Sequence, residues 1–528
     1  MVLTNGILCG ILFPEADWFD YPIGIIFGSG IEKFRQVTPA NNRRKKEEKM
    51  KKILAMMMAT TTIALCGLTA CGKQEQEPEK PVYESNEIYD IGMWVGVSDN
   101  ICTYDDEGKK VSSRPMTDEE FLEKYRDIAA AGITIAFPGY DVMIDGRSGY
   151  NLKALRAARE VGIKHVIGDS QVRDYLFGAK TLVDSGVQTE SQVVEKVKDL
   201  IKMYTESEYS DALYGFMVRD EPSAELFEAL GYAERIFKQA APGLMFYVNL
   251  FPVIAGGAQL GGATPIKYDA YLSRWISAVK TDYISYDHYP LYGNGQTTSL
   301  EPSFLYNMDV IQTKIRDEGA DRKLWTFLQS IQYGSRNRAL TCKADAAFQA
   351  YSFLAYGGDG IQWFCYAAPP ENDGATHFEN NALVTREYEK TETYGYVSSV
   401  NHDIQALMKY YKNFTWKGVM LSSVYDDDGN FSMLEGSENL ISAKNMSGIT
   451  STEDAFAGIF EDKDGREGYL VVNFTDPAKK RKNKVTLALK NATRAIVVKE
   501  GKEEVKKVDG GKLELDLDEG DGVFVIPY

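Results

Sequence analysis

The run Leu213-Tyr214-Gly215-Phe216-Met217-Val218-Arg219-Asp220-Glu221-Pro222 joins an apolar stretch to three charged residues and a proline. An uninterrupted apolar stretch this short suits a strand covered on both faces, as in a parallel sheet. Pro222 restrains the backbone where the chain turns. Two adjacent acids leaving a buried strand cannot both be solvated caps of a helix starting near Ala224. One of them is therefore expected to point into open space at the strand's end.

Working outward, the same theme of apolar run, polar loop and amphipathic helix recurs from Ile91 onward. The strands are expected at 91–97, 133–139, 164–169, 213–219, 244–249, 282–287, 323–329 and 360–366. Between them lie apolar residues at three- and four-residue spacing, such as Phe121, Leu122, Tyr125, Ile128 and Ala129. Thr117 and Glu120 form a capping-box pattern, and Gly132, Gly162, Gly243 and Gly319 mark helix ends. Strands alternating with helices imply a parallel sheet. A doubly wound sheet would more often carry a Gly-rich phosphate turn after its first strand, whereas that strand here runs into Trp94-Val95-Gly96-Val97-Ser98. The expected fold is α/β: a (β/α)8 TIM barrel over 91–411, followed by a C-terminal antiparallel β-sandwich domain over 412–528. The period-two stretches 468–474, 485–489, 513–517 and 522–526 carry the second part.

The chain has 528 residues, 44% of them hydrophobic, enough for a large core and a satellite domain. A net charge of −17 argues against nucleic acid as a partner. Four histidines, without zinc spacing, and the lack of a Gly-rich phosphate loop imply neither a metal nor another cofactor.

From Met50 the chain reads as an export signal: Lys51 and Lys52, an apolar run over 53–67, then Leu68-Thr69-Ala70-Cys71. The last four residues resemble a bacterial lipobox, which implies acylation of Cys71. The expected organisation is a dispensable extension over 1–49, a lipoprotein signal over 50–71 and a linker over 72–90. The product would be exported and held at a membrane only through its lipid. Cys102, Cys342 and Cys365 are expected as buried thiols.

In such barrels chemistry sits where strands run into their βα loops. Those positions hold Asp169 after strand 3, Asp220 and Glu221 after strand 4, and Asn249 after strand 5. Asp287, His288 and Tyr289 follow strand 6, Gln329 ends strand 7, and Trp363 and Tyr366 close strand 8. Trp94, Tyr289, Trp363 and Tyr366 are either sugar-stacking platforms or core filler. His288 either orients a carboxylate or meets a sugar hydroxyl, while Asn249 and Gln329 suit hydroxyl contacts. Asp220 or Glu221 could instead cap the next helix, and Arg219 is expected to face the barrel shell.

The Asp-Glu-Pro after strand 4, Tyr286-Asp287-His288-Tyr289-Pro290 after strand 6 and the Trp on strand 8 resemble the clan A glycoside hydrolases. The likeness is greatest to the N-terminal barrel of the family 42 β-galactosidase type. It implies a carbohydrate substrate, Glu221 as general acid/base and a nucleophilic Glu after strand 7. Two positions depart from that pattern: Asp220 stands where an Asn is usual, and strand 7 offers Gln329. Since hydrolysis generally uses two carboxyls, Asp287 is the expected second group, with Asp169 and Glu371 in reserve. Asp287 could instead be a structural acid bonded to loop backbone. The alternative reading is a catalytically degenerate barrel serving as a surface carbohydrate-binding lipoprotein.

Overall fold

Eight parallel strands close on themselves in the computed structural model, which describes residues 78–105, 110–139, 148–293, 296–318, 322–369 and 377–528. Barrel strands 1 to 4 are Asp90–Met93, Ile135–Ala136, Lys164–Ile167 and Leu213–Asp220. Strands 5 to 8 are Met245–Leu250, Tyr283–Asp287, Lys323–Gln329 and Gly360–Phe364. Each pairs with its sequence neighbours, and strand 1 pairs with strand 8 to shut the ring. All eight expected strands are present. The signal segment, Cys71, Gly319 and Glu371 lie outside the described residues.

Local chemistry accounts for the helices between them. Thr117 and Glu120 form a reciprocal capping box that satisfies free N–H groups at the start of Asp118–Ala130. Gly132 and Gly162 follow their helices with φ of 74° and 78°, a conformation that costs a Cβ-bearing residue more.

Two features of strand 4 and its neighbours position the site. Met217 pairs with Tyr247, and then, across a bulge, Arg219 pairs with Val248 and Asp220 with Asn249. Because facing side alternates along a strand, the one extra residue puts Asp220, rather than Arg219, on the interior face that Asn249 occupies. Arg219 is exposed and lies over the Phe177 ring of the helix Ser170–Asp184, on the shell side as expected. Secondly, the interior holds a buried polar group made by Tyr247, Asn249, Ser285 and Gln362, to which the site is attached from below.

The C-terminal part consists of a six-stranded and a three-stranded antiparallel sheet. Its strand Lys512–Leu517 alternates buried with exposed side chains, whereas Glu467–Asn473 is buried throughout. The difference has a packing cause. One face of the six-stranded sheet, through Phe456, Phe460, Leu470 and Phe524, joins the barrel core; the other, through Ile459, Tyr469 and Val471, makes a second core with the smaller sheet. Gly458 lies so close to the helix Lys343–Ala355 that a Cβ there would sit 2.1 Å from the Ala355 carbonyl oxygen. A buried ion cluster crosses the same seam, with Arg338 reaching Asp345 at 2.7 Å and Asp476 at 3.0 Å. Residues Glu79–Tyr528 accordingly form one unit. Of the thiols, Cys365 is buried, but Cys102 and Cys342 are half-buried, which corrects the expectation for those two.

Candidate active site

The end of strand 4 brings two acids to the barrel mouth in different ways. Asp220 ends the strand's ladder, exposed at the lip. Glu221 follows with φ of 42°, left-handed backbone that costs a non-glycine residue of order 1–3 kcal/mol and clusters at functional sites. Its N–H is held by the Asn249 carbonyl at 2.9 Å. Tyr271 donates to the Pro222 carbonyl at 2.8 Å, bracing the turn from the helix Tyr268–Ala278.

Asn249 joins the acids of strands 4 and 6. Its Nδ2 donates to Asp220 Oδ1 at 3.2 Å and to Asp287 Oδ1 at 2.9 Å. The Glu221 carboxyl in turn hydrogen-bonds that of Asp287. Two carboxyl groups therefore meet at one amide, with Glu221 beside Asp287.

Their titration follows from this crowding. The pKa of Asp220 is pushed up to about 6 by loss of hydration against the barrel end, opposed by the Asn249 hydrogen bond and the Arg219 charge. Half-buried Asp287 is pushed to about 7, first by burial and then by the Asp220 charge, with Asn249 and Glu221 acting in the opposite direction. Like charges at this range cannot all ionise together. The proton belongs to the group as a whole rather than to one oxygen.

An aromatic wall stands beside the acids. Half-buried Tyr289 packs its ring 5.6 Å from both Tyr333 and Phe364, and Phe378 lies 5.9 Å from Tyr333 and 6.0 Å from Phe364. Tyr289 follows Asp287 by two residues, and burial, then Asp287, Tyr333, Glu221 and Asp220, push its hydroxyl well above its ordinary range.

Several expected contacts are not at this mouth. Asp169 is buried and caps Ser170–Asp184 while accepting from the Tyr204 hydroxyl at 2.5 Å, so it is a structural acid. His288 is buried with Nε2 2.7 Å from Glu301 Oε2, directed into the loop packing instead of the opening. Gln329 is fully buried: Nε2 donates to the Arg338 carbonyl at 2.6 Å, and Oε1 accepts from Asn337 at 3.2 Å and the Leu291 N–H at 3.4 Å. Its amide is spent tying loops together. Trp363 lies on the shell side, its Nε1 donating to Asn401 of the helix Glu392–Tyr411 at 2.9 Å. Tyr366 is fully buried near Asp127, Tyr394 and Tyr388, again in the shell. Trp94 is packed inside the barrel against Phe137, Tyr247 and Phe327, so it is core filler. Asp287 reaches the mouth beside Glu221, with its Oδ1 taking the Asn249 amide.

Tyr333, Phe364 and Phe378 escaped the sequence reading. Phe364 was accessible by parity, because interior Gln362 assigns even positions of strand 8 to the inside. Tyr333 and Phe378 come from loops and carry no such signal.

Two clefts, of about 720 and 690 Å3, open around the N-terminal ends of the strands near Leu213 and Leu244, away from the carboxyls. Among the described residues, no three His, Cys, Asp or Glu side chains are grouped as metal ligands would be.

No family model matches the chain, and no curated protein matches it. Solved structures resemble it only distantly. A β-galactosidase from the psychrophilic Marinomonas ef1 is 11% identical over 61% of this chain, with a TM-score of 0.38, and the chain spans 60% of that protein's length. An Anoxybacillus α-amylase is 11% identical, with 83% of this chain and 97% of that one aligned and a TM-score of 0.44. A family 51 α-L-arabinofuranosidase from Bifidobacterium longum is 10% identical, with 85% and 97% aligned and a TM-score of 0.39. Likenesses this distant carry no weight on chemistry, which rests on the mouth itself.

The raised pKa of Asp287 has a consequence for stability. The folded chain binds that proton more tightly than the unfolded chain, where the ordinary value of 3.8 applies. The stabilisation is full below about 4 and is lost as pH rises through about 7. Asp287→Asn is therefore expected to raise the melting temperature at pH 8 by about a degree or two, with the gain shrinking as pH falls toward 4. Thermal unfolding of both proteins across that range measures it; a gain independent of pH would show that Asp287 titrates normally.

Proposed function

We propose that the protein is a glycoside hydrolase acting on oligo- or polysaccharides, with its chemistry carried by Glu221, Asp287 and Asp220. The observation that carries this reading is the meeting of Asp220 and Asp287 on one amide, with Glu221 next in the chain and Asp287 held near neutral titration by burial and the Asp220 charge. A site that only binds sugar hydroxyls needs no acid titrating near neutrality, whereas general-acid catalysis works best with one. Perturbed carboxyls also concentrate at catalytic sites.

In the proposed reaction the Glu221–Asp287 pair gives its proton to the glycosidic oxygen, with Glu221 as the donor. The C1–O bond breaks as that oxygen leaves as a hydroxyl. Asp220, ionised and exposed at the lip, bonds to C1. Water then displaces the ester, returning its proton to the pair and a carboxylate to Asp220. Tyr289 and its aromatic neighbours offer flat apolar faces to the sugar's C–H groups. Because Asp220 forms an ester that water then displaces, the expected outcome is retention.

The alternative, a carbohydrate-binding barrel without turnover, is favoured by Gln329, whose amide fills the strand-7 position and is fully engaged. A broad glycan screen separates the two. Hydrolysis is expected from the wild type, with the retained anomer appearing first by proton NMR, an alkaline limb near pH 7 and about 10²–10⁴-fold less activity in Glu221→Gln. Binding without product would support the alternative, and equal hydrolysis by the variant would remove Glu221 from its role.

We also propose that the chain is exported and anchored through acylated Cys71, on the order of parts from Met50 to the polar tether. Each buried methylene contributes ~0.8 kcal/mol, so two or three chains hold a protein stably. Cys71→Ser is expected to leave the membrane fraction; an unmodified N-terminus at Met1, with no lipid on Cys71 by mass spectrometry, would contradict the anchor.

A further inference from the structure

Beneath the three carboxyls, Ser285 makes contacts that use its hydroxyl completely. A serine hydroxyl has one proton to donate and two lone pairs with which to accept. Gln362 Nε2 donates to Ser285 Oγ at 3.1 Å, and the Tyr247 hydroxyl lies 3.1 Å from the same oxygen. Ser285 Oγ donates to Asn249 Oδ1 at 3.0 Å. Tyr247, Asn249, Ser285 and Gln362 are at least 97% buried, so water cannot substitute for these partners.

The directions of these bonds are linked. The Gln362 amide nitrogen can only donate, so Ser285 receives there. Its single proton goes to Asn249 Oδ1, and Tyr247 must donate to the remaining lone pair. Asn249 then has its oxygen turned inward and both N–H bonds turned outward, one to Asp220 and one to Asp287. The reversed amide would set an oxygen against two carboxylates and a nitrogen against a donor.

We propose that Ser285, held by Gln362, is a positioning residue that fixes the Asn249 amide and thereby sets the acidity of the carboxyls at the mouth. This rests on the hydrolase reading only for its consequence in catalysis; the effect on acidity stands without it. Strand 8 thus reaches the acids of strands 4 and 6 through the barrel interior, although it contributes no carboxyl itself. Asn249 stabilises the ionised forms, so loosening it raises the pKa of Asp287 and moves any alkaline limb upward.

The test is a 13C titration of the full chain labelled at the aspartate carboxyl carbons, with Asp287→Asn used to assign the signal. The wild type is expected to show a midpoint near 7. Ser285→Ala is expected to move it up by about one unit, and Ser285→Thr, which keeps a hydroxyl, to restore it. If Ser285→Ala does not fold by circular dichroism, Gln362→Met carries the test, with a smaller shift in the same direction. A folded Ser285→Ala protein whose midpoint matches wild type overturns the proposal, as does the same shift in Ser285→Thr. Where hydrolysis is present, its alkaline limb moves with the midpoint. A chain that shifts as expected but turns over no glycan sinks the hydrolase reading and leaves the positioning role intact.

Discussion

One side-chain amide holds the mouth of this barrel together. Asn249 offers two N–H bonds, and two carboxylates from different strands take them. Without that donor, the charges of Asp220 and Asp287 would repel one another across the mouth, and at Asp287 burial already opposes the charge. The bulge in strand 4 exists in register with this requirement: it turns Asp220 inward and sends Arg219 to the shell, over Phe177. Glu221 then accepts left-handed backbone to meet Asp287. Both departures from regular geometry fall on consecutive turns of one strand end.

The C-terminal sheets are part of the same construction. The loop after strand 6 carries Asp287 into His288, and His288 is fixed by Glu301. Burial works to raise the Glu301 pKa, but the hydrogen bond and charge of His288 hold it below the ordinary range. Asn430, beyond the barrel, donates to the Glu301 carbonyl at 3.0 Å and accepts from the Leu305 N–H at 3.1 Å. Asp428 accepts from the Leu300 N–H at 3.1 Å. The β-domain therefore clamps the loop that leads away from the central acid, and the shared apolar core makes the clamp rigid.

The fold was legible because strand and helix periods differ, and eight buried runs separated by amphipathic helices have few ways to pack. The carboxyls were legible because strand ends could be counted. What the sequence could not convey was facing side and occupancy. Trp363 and Phe364 are neighbours, and a shift of one residue exchanges shell for mouth. Trp363 invited attention as a large aromatic, yet Gln362 bonding to Ser285 puts Phe364 inside. Gln329 and Asp169 occupy the right strand ends, but a returning loop consumes the hydrogen bonds of the first, and the helix it caps together with Tyr204 those of the second. The outer hairpin Asn100–Tyr104 with Lys110–Pro115, and the loop aromatics Tyr333 and Phe378, depend on contacts between distant segments. Periodicity says nothing about those.

The proposed chemistry stands or falls on which carboxyl meets the anomeric carbon. A fluorosugar that forms a stable ester with retaining enzymes, matched to the glycan that the protein hydrolyses, marks that residue for peptide mapping by mass spectrometry. The ester is expected on Asp220, in the peptide that also carries Glu221. An ester on any residue other than Asp220 would contradict the account.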